Sequence, residues 1–447
     1  MTSRERVQAA VEFRPPDRVP IDLGGMKASG INALAYARLK ERLGIRTPTR
    51  ILDPRFMIAV VEEEVLSRFH ADVLPVDLSG IAAALRPEEE WVPRTLFDGT
   101  RVLFPPGTLI REQADGSWLL ANTDGSDSTF RMPKGGYYFD DVSFNRGAGI
   151  DPARFKPPSD IPDESLRLME DYARGLHRST GYALLGWGFG VCFLGLSLIT
   201  DRSQNVTQGM PDEWMMMLLT EKETCHELMD RSVDAAISCL RLVDESLGDS
   251  CFAWGIASDD SGTQRGEFIN PDLWAEMIKP HYAKLCEWIH RHTRMKTFLH
   301  SCGSIPGLIP HLIDAGVDIL NPVQTSAAGM APERLMRDFG GRICFWGGGC
   351  DTQSVLPNAS PAEVREHVRD RLRTFCGADG ASAARGSSAA RGSSAARASS
   401  RAGGYVFTQV HNVQAKVPAE NIQAMLEAAV EFGSLGGRDK PGGISPA

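Results

Sequence analysis

The chain has 447 residues, 42% hydrophobic and 23% charged, with a formal net charge of −9. That is globular composition, and no basic stripe offers a surface for nucleic-acid phosphates. The length admits one α/β barrel with insertions as readily as several small domains.

The chain starts MTSRERVQAAVEF, which alternates charge and has no apolar signal core. Short apolar or β-branched runs then recur, each followed by a loop and a helical pattern. They predict strands at 18–25 (RVPIDLGG), 72–78 (DVLPVDL), 183–190 (ALLGWGFG) and 252–259 (FAWGIASD). Four more are expected at 297–302 (TFLHSC), 317–323 (VDILNPV), 343–348 (ICFWGG) and 405–412 (YVFTQVHN). After the second, residues 91–150 carry FDGT, ADGS and TDGS turn signals between alternating runs, the pattern of inserted β-hairpins. The uncharged stretch 182–200 has the length of a membrane span, but its glycines and strand signals make it a buried strand and its loop.

Asn270-Pro271-Asp272 is a helix start, with Leu273, Met277, His281, Leu285 and Ile289 along one face. Ser360-Pro361 starts another, lined by Val364, Val368 and Leu372. Residues 377–404 repeat Arg-Gly-Ser-Ser-Ala-Ala, which cannot bury a core and reads as a disordered loop before the eighth strand. Eight strands alternating with helices predict a (β/α)8 TIM barrel as one domain over 1–437, with a tail at 438–447. No glycine-rich phosphate turn follows the first strand, so a dinucleotide fold loses its main support.

Nine cysteines with no export signal imply reduced thiols in a cytoplasmic protein. Seven of them (Cys192, Cys225, Cys239, Cys251, Cys286, Cys344 and Cys376) read as small buried residues. Cys286 and His290 share a helix face, with no third ligand nearby.

The remaining two carry the chemistry. His300 and Cys302 are two apart at a strand end, so both can face the same side. Cys350 follows the next strand but one, in GGGCD. In a barrel the C-terminal strand ends converge on the face where active sites are built. One His and two Cys match a zinc site with its fourth position open, and thiolates argue against magnesium or calcium. Zinc there would bind and deprotonate an incoming thiol, or activate water. Asp77, Asp259, Asp260 and Asp351 reach the same face. His411, with Asn412 and Gln414, follows the eighth strand. Asp77, Asp259 and His411 are the pocket candidates.

Four segments, TSRERVQAAVEFRPPDRVPIDLGG, HSCGSIPGLIPHLIDAGVDILNPVQ, GGGCDTQSVLPNASPAEVREHV and VFTQVHNVQAKVPAENIQAM, together resemble the uroporphyrinogen decarboxylase superfamily. The resemblance implies a (β/α)8 barrel. Its decarboxylases hold an acidic tetrapyrrole with an arginine-rich N-terminal segment and a catalytic Asp, without metal. Here that segment is IDLGGMKASG, which has no arginine, while Asp77 matches the aspartate's place loosely. The other branch, resembling methylcobamide:coenzyme M methyltransferases, carries an H-x-C…C zinc site, which His300, Cys302 and Cys350 match. It implies methyl transfer between a small donor or thiol and a corrinoid on a partner protein, since no corrinoid-binding motif occurs here. The expected cofactors are therefore Zn2+ and a partner's corrinoid, with no nucleic acid, no membrane, and a homodimer as an open option. The alternatives are a metal-free decarboxylase using Asp77, or a barrel that binds a tetrapyrrole or corrinoid partner without catalysis.

Overall fold

The computed structural model describes residues 1–77, 81, 85–121, 130–141, 152–153, 155–194, 211–377 and 403–434. Most of the Ala/Ser/Gly/Arg repeat (378–402), the tail, and residues 122–129 and 142–151 of the insert lie outside them.

The centre is a curled sheet of seven parallel strands: β1 (Val73–Asp77), β2 (Ala183–Val191), β3 (Ala253–Ser258), β4 (Lys296–His300), β5 (Ile319–Asn321), β6 (Cys344–Trp346) and β7 (Tyr405–Val406). They lie side by side in chain order. The stretch expected as a first strand fills the gap between β7 and β1 through backbone bonds instead. Asp22 N–H donates to the Phe407 carbonyl at 2.8 Å, Phe407 N–H to the Pro20 carbonyl at 2.9 Å, and Asp72 N–H to the Ile21 carbonyl at 2.7 Å. The result is a mixed α/β fold of TIM-like barrel form.

Strand alternation separates two cores. Val73, Leu185, Phe298, Ile319, Trp346 and Val406 fill the barrel interior. Their neighbours Leu184, Trp254, Leu299, Leu320, Phe345 and Tyr405 pack outward against the helix layer. Strands buried on both faces need no polar alternation, which is why they read as continuous apolar runs.

The helix starts behave as the sequence indicates. The Asn270 side chain accepts the Asp272 N–H at 2.7 Å. Helix Pro271–Met277 ends at Ile278 and helix Lys279–His292 begins, because Pro280 has no N–H to continue the first ladder. His281, Leu285 and Ile289 stay buried on the second piece. Ser360 and Glu363 form a capping box on Pro361–Cys376, which ends at Gly377 with φ 65°.

Between β1 and β2, Val92–Thr95 pairs antiparallel with Arg101–Phe104, and Leu109–Glu112 with Trp118–Ala121. Thr49–Asp53 joins the first pair in parallel. These strands bring Phe56 and Tyr138 to the barrel mouth. No helix among the described residues is long and apolar enough to cross a membrane.

One interior contact sets a tight limit. A Cβ at Gly255 would lie 2.1 Å from the Trp187 ring. The Trp187 ring packs nearly perpendicular to Phe298 with centroids 5.8 Å apart, and moving it aside would disturb that contact. Gly255→Ala is therefore expected to cost about 1–3 kcal/mol through overpacking. Urea unfolding against wild type measures it, and an unchanged midpoint would refute the argument.

Candidate functional site

Strand phase places the site. His300 lies two residues after the interior Phe298, so its side chain also faces inward, at the strand end. Cys302 lies just beyond, where the chain turns at Gly303 with φ 93°. The turn is held by Cys302 N–H donating to Asp260 Oδ1 at 2.8 Å and Gly303 N–H donating to Gln324 Oε1 at 2.8 Å. It brings Cys302 Sγ to 3.5 Å from His300 Nε2. His411 comes from the chain after β7, its ring edge-on to His300 with centroids 5.6 Å apart. Asn412 Oδ1 is hydrogen-bonded to His411 Nδ1. One donor atom from each of His300, Cys302 and His411 lies within 4.8 Å of the others.

These donors sit beside a cavity of about 570 Å3 at the barrel mouth. Met26, Phe56, Tyr138 and Trp187 form its apolar wall, and Lys27, Asp77, Ser258, Asp260, Asn412 and Gln414 its polar one. Lys27 Nζ lies 2.8 Å from Asp53 and 3.4 Å from Asp77. Burial pulls the Lys27 pKa down, but the two carboxylates outweigh it and raise it.

Burial lowers the His300 pKa to about 4, with Asp260 opposing and His411 reinforcing the shift. The imidazole is therefore neutral near pH 7, the form that ligates metal. Burial, then Asp260, pushes the Cys302 thiol well above its ordinary range. Without a cation it stays protonated, and a bound divalent metal would be needed to make it a thiolate.

The other sequence candidates fall in different places. Asp77 continues the inward phase of Val73 and Pro75 and faces the cavity. Asp259 does not. The β3 register shifts between Gly255 and Ala257, so Ser258 and Asp260 face the mouth and Asp259 points outward. There it accepts the Phe193 and Leu194 N–H groups at 3.1 and 2.8 Å and the Tyr282 hydroxyl at 2.7 Å. Cys350 is also outside the donor group. Gly347 and Gly348 have φ of 118° and 74°, a turn that breaks strand alternation and seats Cys350 in the outer core. Burial and Asp351 push its thiol pKa up, and Arg371 of the helix layer opposes them. Asp351 caps the next turn, accepting Ser354 N–H at 2.6 Å. Cys286 is buried and His290 contacts Asp318 at 2.7 Å, so that pair forms no site. Lys27 and Trp187 escaped the sequence reading. A lone lysine in the apolar, glycine-rich GGMKASG was the available signal for the first.

The donor set fits zinc. Zinc–nitrogen and zinc–sulfur bonds of about 2.0–2.1 and 2.3 Å at a tetrahedral angle separate the two ligands by about 3.5 Å. The His300–Cys302 separation is 3.5 Å.

Comparison with known proteins adds two findings. The family described as "Uroporphyrinogen decarboxylase (URO-D)" matches residues 196–432, more than half of the chain. A solved structure, "methyltransferase from Methanosarcina mazei", is similar over 97% of this chain and 99% of that one, with 14% identity and a TM-score of 0.52. At that identity the likeness is one of fold. No curated protein matches.

Proposed function

Since the chain belongs to the uroporphyrinogen decarboxylase family, we propose that it is a zinc-dependent methyltransferase of that family. It would move a methyl group between a small donor or thiol and a corrinoid carried by a partner protein. The observation that carries this reading is the convergence of His300, Cys302 and His411 beside the mouth cavity. Two imidazoles and a thiol suit zinc and leave a fourth position toward the cavity. Zinc bound there would act as a Lewis acid, lowering the pKa of a thiol substrate.

The chain's own residues do the rest. His300 and Cys302 offer donors from a rigid strand end. Asp260, whose Oδ1 lies 3.7 Å from His300 Nε2 and whose side chain is 56% exposed, is placed to take the thiol's proton. Trp187, Tyr138 and Phe56 form the apolar side of the cavity, against which the transferring methyl group would pack. A corrinoid on the partner would supply or take up the methyl group, and Asp260 would pass the proton of the thiol to solvent.

The test is zinc per chain in purified protein, together with demethylation of methylcobalamin in the presence of small thiols. About one zinc and thiol-dependent demethylation are expected. A folded protein without zinc would overturn the reading. Two variants identify the third ligand. Zinc retained in Cys350→Ser and lost in His411→Gln assigns it to His411. The reverse assigns it to Cys350, whose loop would then have to turn inward.

Asp77 on the cavity wall keeps the metal-free decarboxylase as a second reading. Charge speaks against it. A tetrapyrrole bearing several carboxylates needs several cations. Among the described lining residues the only lysine or arginine is Lys27, already between two carboxylates. Uroporphyrinogen turnover that disappears in Asp77→Asn would establish that reading instead.

A further inference from the structure

The interior face of β5 ends at Asn321, a residue 1% exposed beneath His300. Its two ends have fixed partners. Nδ2 donates to the Trp346 carbonyl at 2.8 Å, and Oδ1 lies 2.7 Å from His300 Nδ1. A backbone carbonyl can only accept, so the amide nitrogen must face Trp346. The amide oxygen then faces the imidazole and can only accept in turn. His300 Nδ1 must therefore carry the hydrogen, which leaves the Nε2 lone pair directed at Cys302 Sγ, 3.5 Å away. Trp346 is itself pinned, its indole N–H donating to Asp22 Oδ2 at 2.8 Å, with Gly25 N–H on Oδ1 at 2.7 Å. Asp22 lies in the segment that fills the gap between β7 and β1. The amide thus has no freedom to flip.

We infer that Asn321 is a positioning residue that sets the His300 tautomer and aims its Nε2 into the donor group. The inference rests on the zinc reading above. An unpinned imidazole would divide between tautomers, and the form with hydrogen on Nε2 cannot ligate through that atom. The partner behind a metal-ligating histidine sets affinity in this way.

Two measurements test it. In unsubstituted protein without metal, long-range 1H–15N spectra of the imidazoles, with His300 assigned by its loss in His300→Gln, report which nitrogen is protonated. Hydrogen on Nδ1 is expected, and hydrogen on Nε2 overturns the inference whether or not the protein takes zinc. The second is Zn2+ affinity by chelator competition, beside the visible spectrum of the Co2+-substituted protein. Asn321→Leu removes the acceptor at similar size and is expected to bind Zn2+ about 10- to 100-fold more weakly, with an altered cobalt spectrum. Asn321→Asp restores an acceptor and should recover most of the loss. Asn321→Leu with wild-type affinity and spectrum overturns the inference. Should that variant fail to fold, the tautomer spectrum alone decides. A wild type that binds no zinc fails the metal reading, while Nδ1–H in its spectrum still upholds the assignment of the tautomer.

Discussion

Cys302→Ser is expected to remove the zinc and the methyl transfer together while leaving the barrel folded. A serine hydroxyl is a poor replacement for a thiolate at a soft-ligand site. Losing a direct ligand should cost more than the about 10- to 100-fold that losing a supporting partner costs. Folding should hardly register the change. Cys302 lies beyond the end of β4, and the bond that holds its turn runs from its backbone N–H to Asp260. Its side chain is no part of either hydrophobic core. Stability within about 0.5 kcal/mol of wild type is expected on those grounds. Elemental analysis beside a thermal melt gives the answer. One zinc per chain in Cys302→Ser would sink the assignment, and a collapsed melt would show that Cys302 is structural.

The strands were legible because parallel strands buried on both faces leave apolar runs that no helix period explains. His300 and Cys302 were legible for the same reason: two residues apart at a strand end is a statement about direction. What failed to read through was local breakage of that period. The shift in β3 exchanges the faces of Asp259 and Asp260, and nothing in FAWGIASDD marks where it falls. The turn at Gly347 and Gly348 sends Cys350 to the outer core, although glycines in the sequence permit a turn without fixing its direction. The pairing of Lys27 with Asp53 and Asp77 spans the small sheet around Thr49–Asp53, a contact no spacing encodes. Asn321 falls inside the expected strand 317–323 with nothing to single it out. Its role becomes visible only once β4, β5 and β6 lie side by side.

The second large effect concerns how the barrel closes. Asp72, just before β1, has a side chain 0% exposed. It accepts Arg6 Nη1 at 2.7 Å, Arg18 Nη1 and Nη2 at 2.7 and 2.9 Å, and Ile21 N–H at 2.8 Å. Those donors come from the first helix, Ser3–Val11, and from the segment that fills the gap between β7 and β1. Arg6 keeps a second partner in Asp17 at 2.6 Å, while among the described residues Arg18 has only backbone carbonyls besides Asp72. Asp72→Ala thus leaves guanidinium groups 9% and 18% exposed without their shared carboxylate. Removing one partner of a buried ion pair costs about 3–5 kcal/mol, because the remaining charge stays desolvated. The unpaired Ile21 N–H adds to the loss. Urea unfolding should show a drop of that size, and a change under about 1 kcal/mol would mean that the cluster closes nothing. The loss should reach the donor group too. His300 and Cys302 sit on β4 and its turn, away from the closing segment, but His411 lies between Phe407 and Val413, whose backbones bond Asp22 and Asn32, so zinc should bind more weakly in the variant. Met26 and Lys27 follow that segment directly into the cavity wall, so methyl transfer should fall as well.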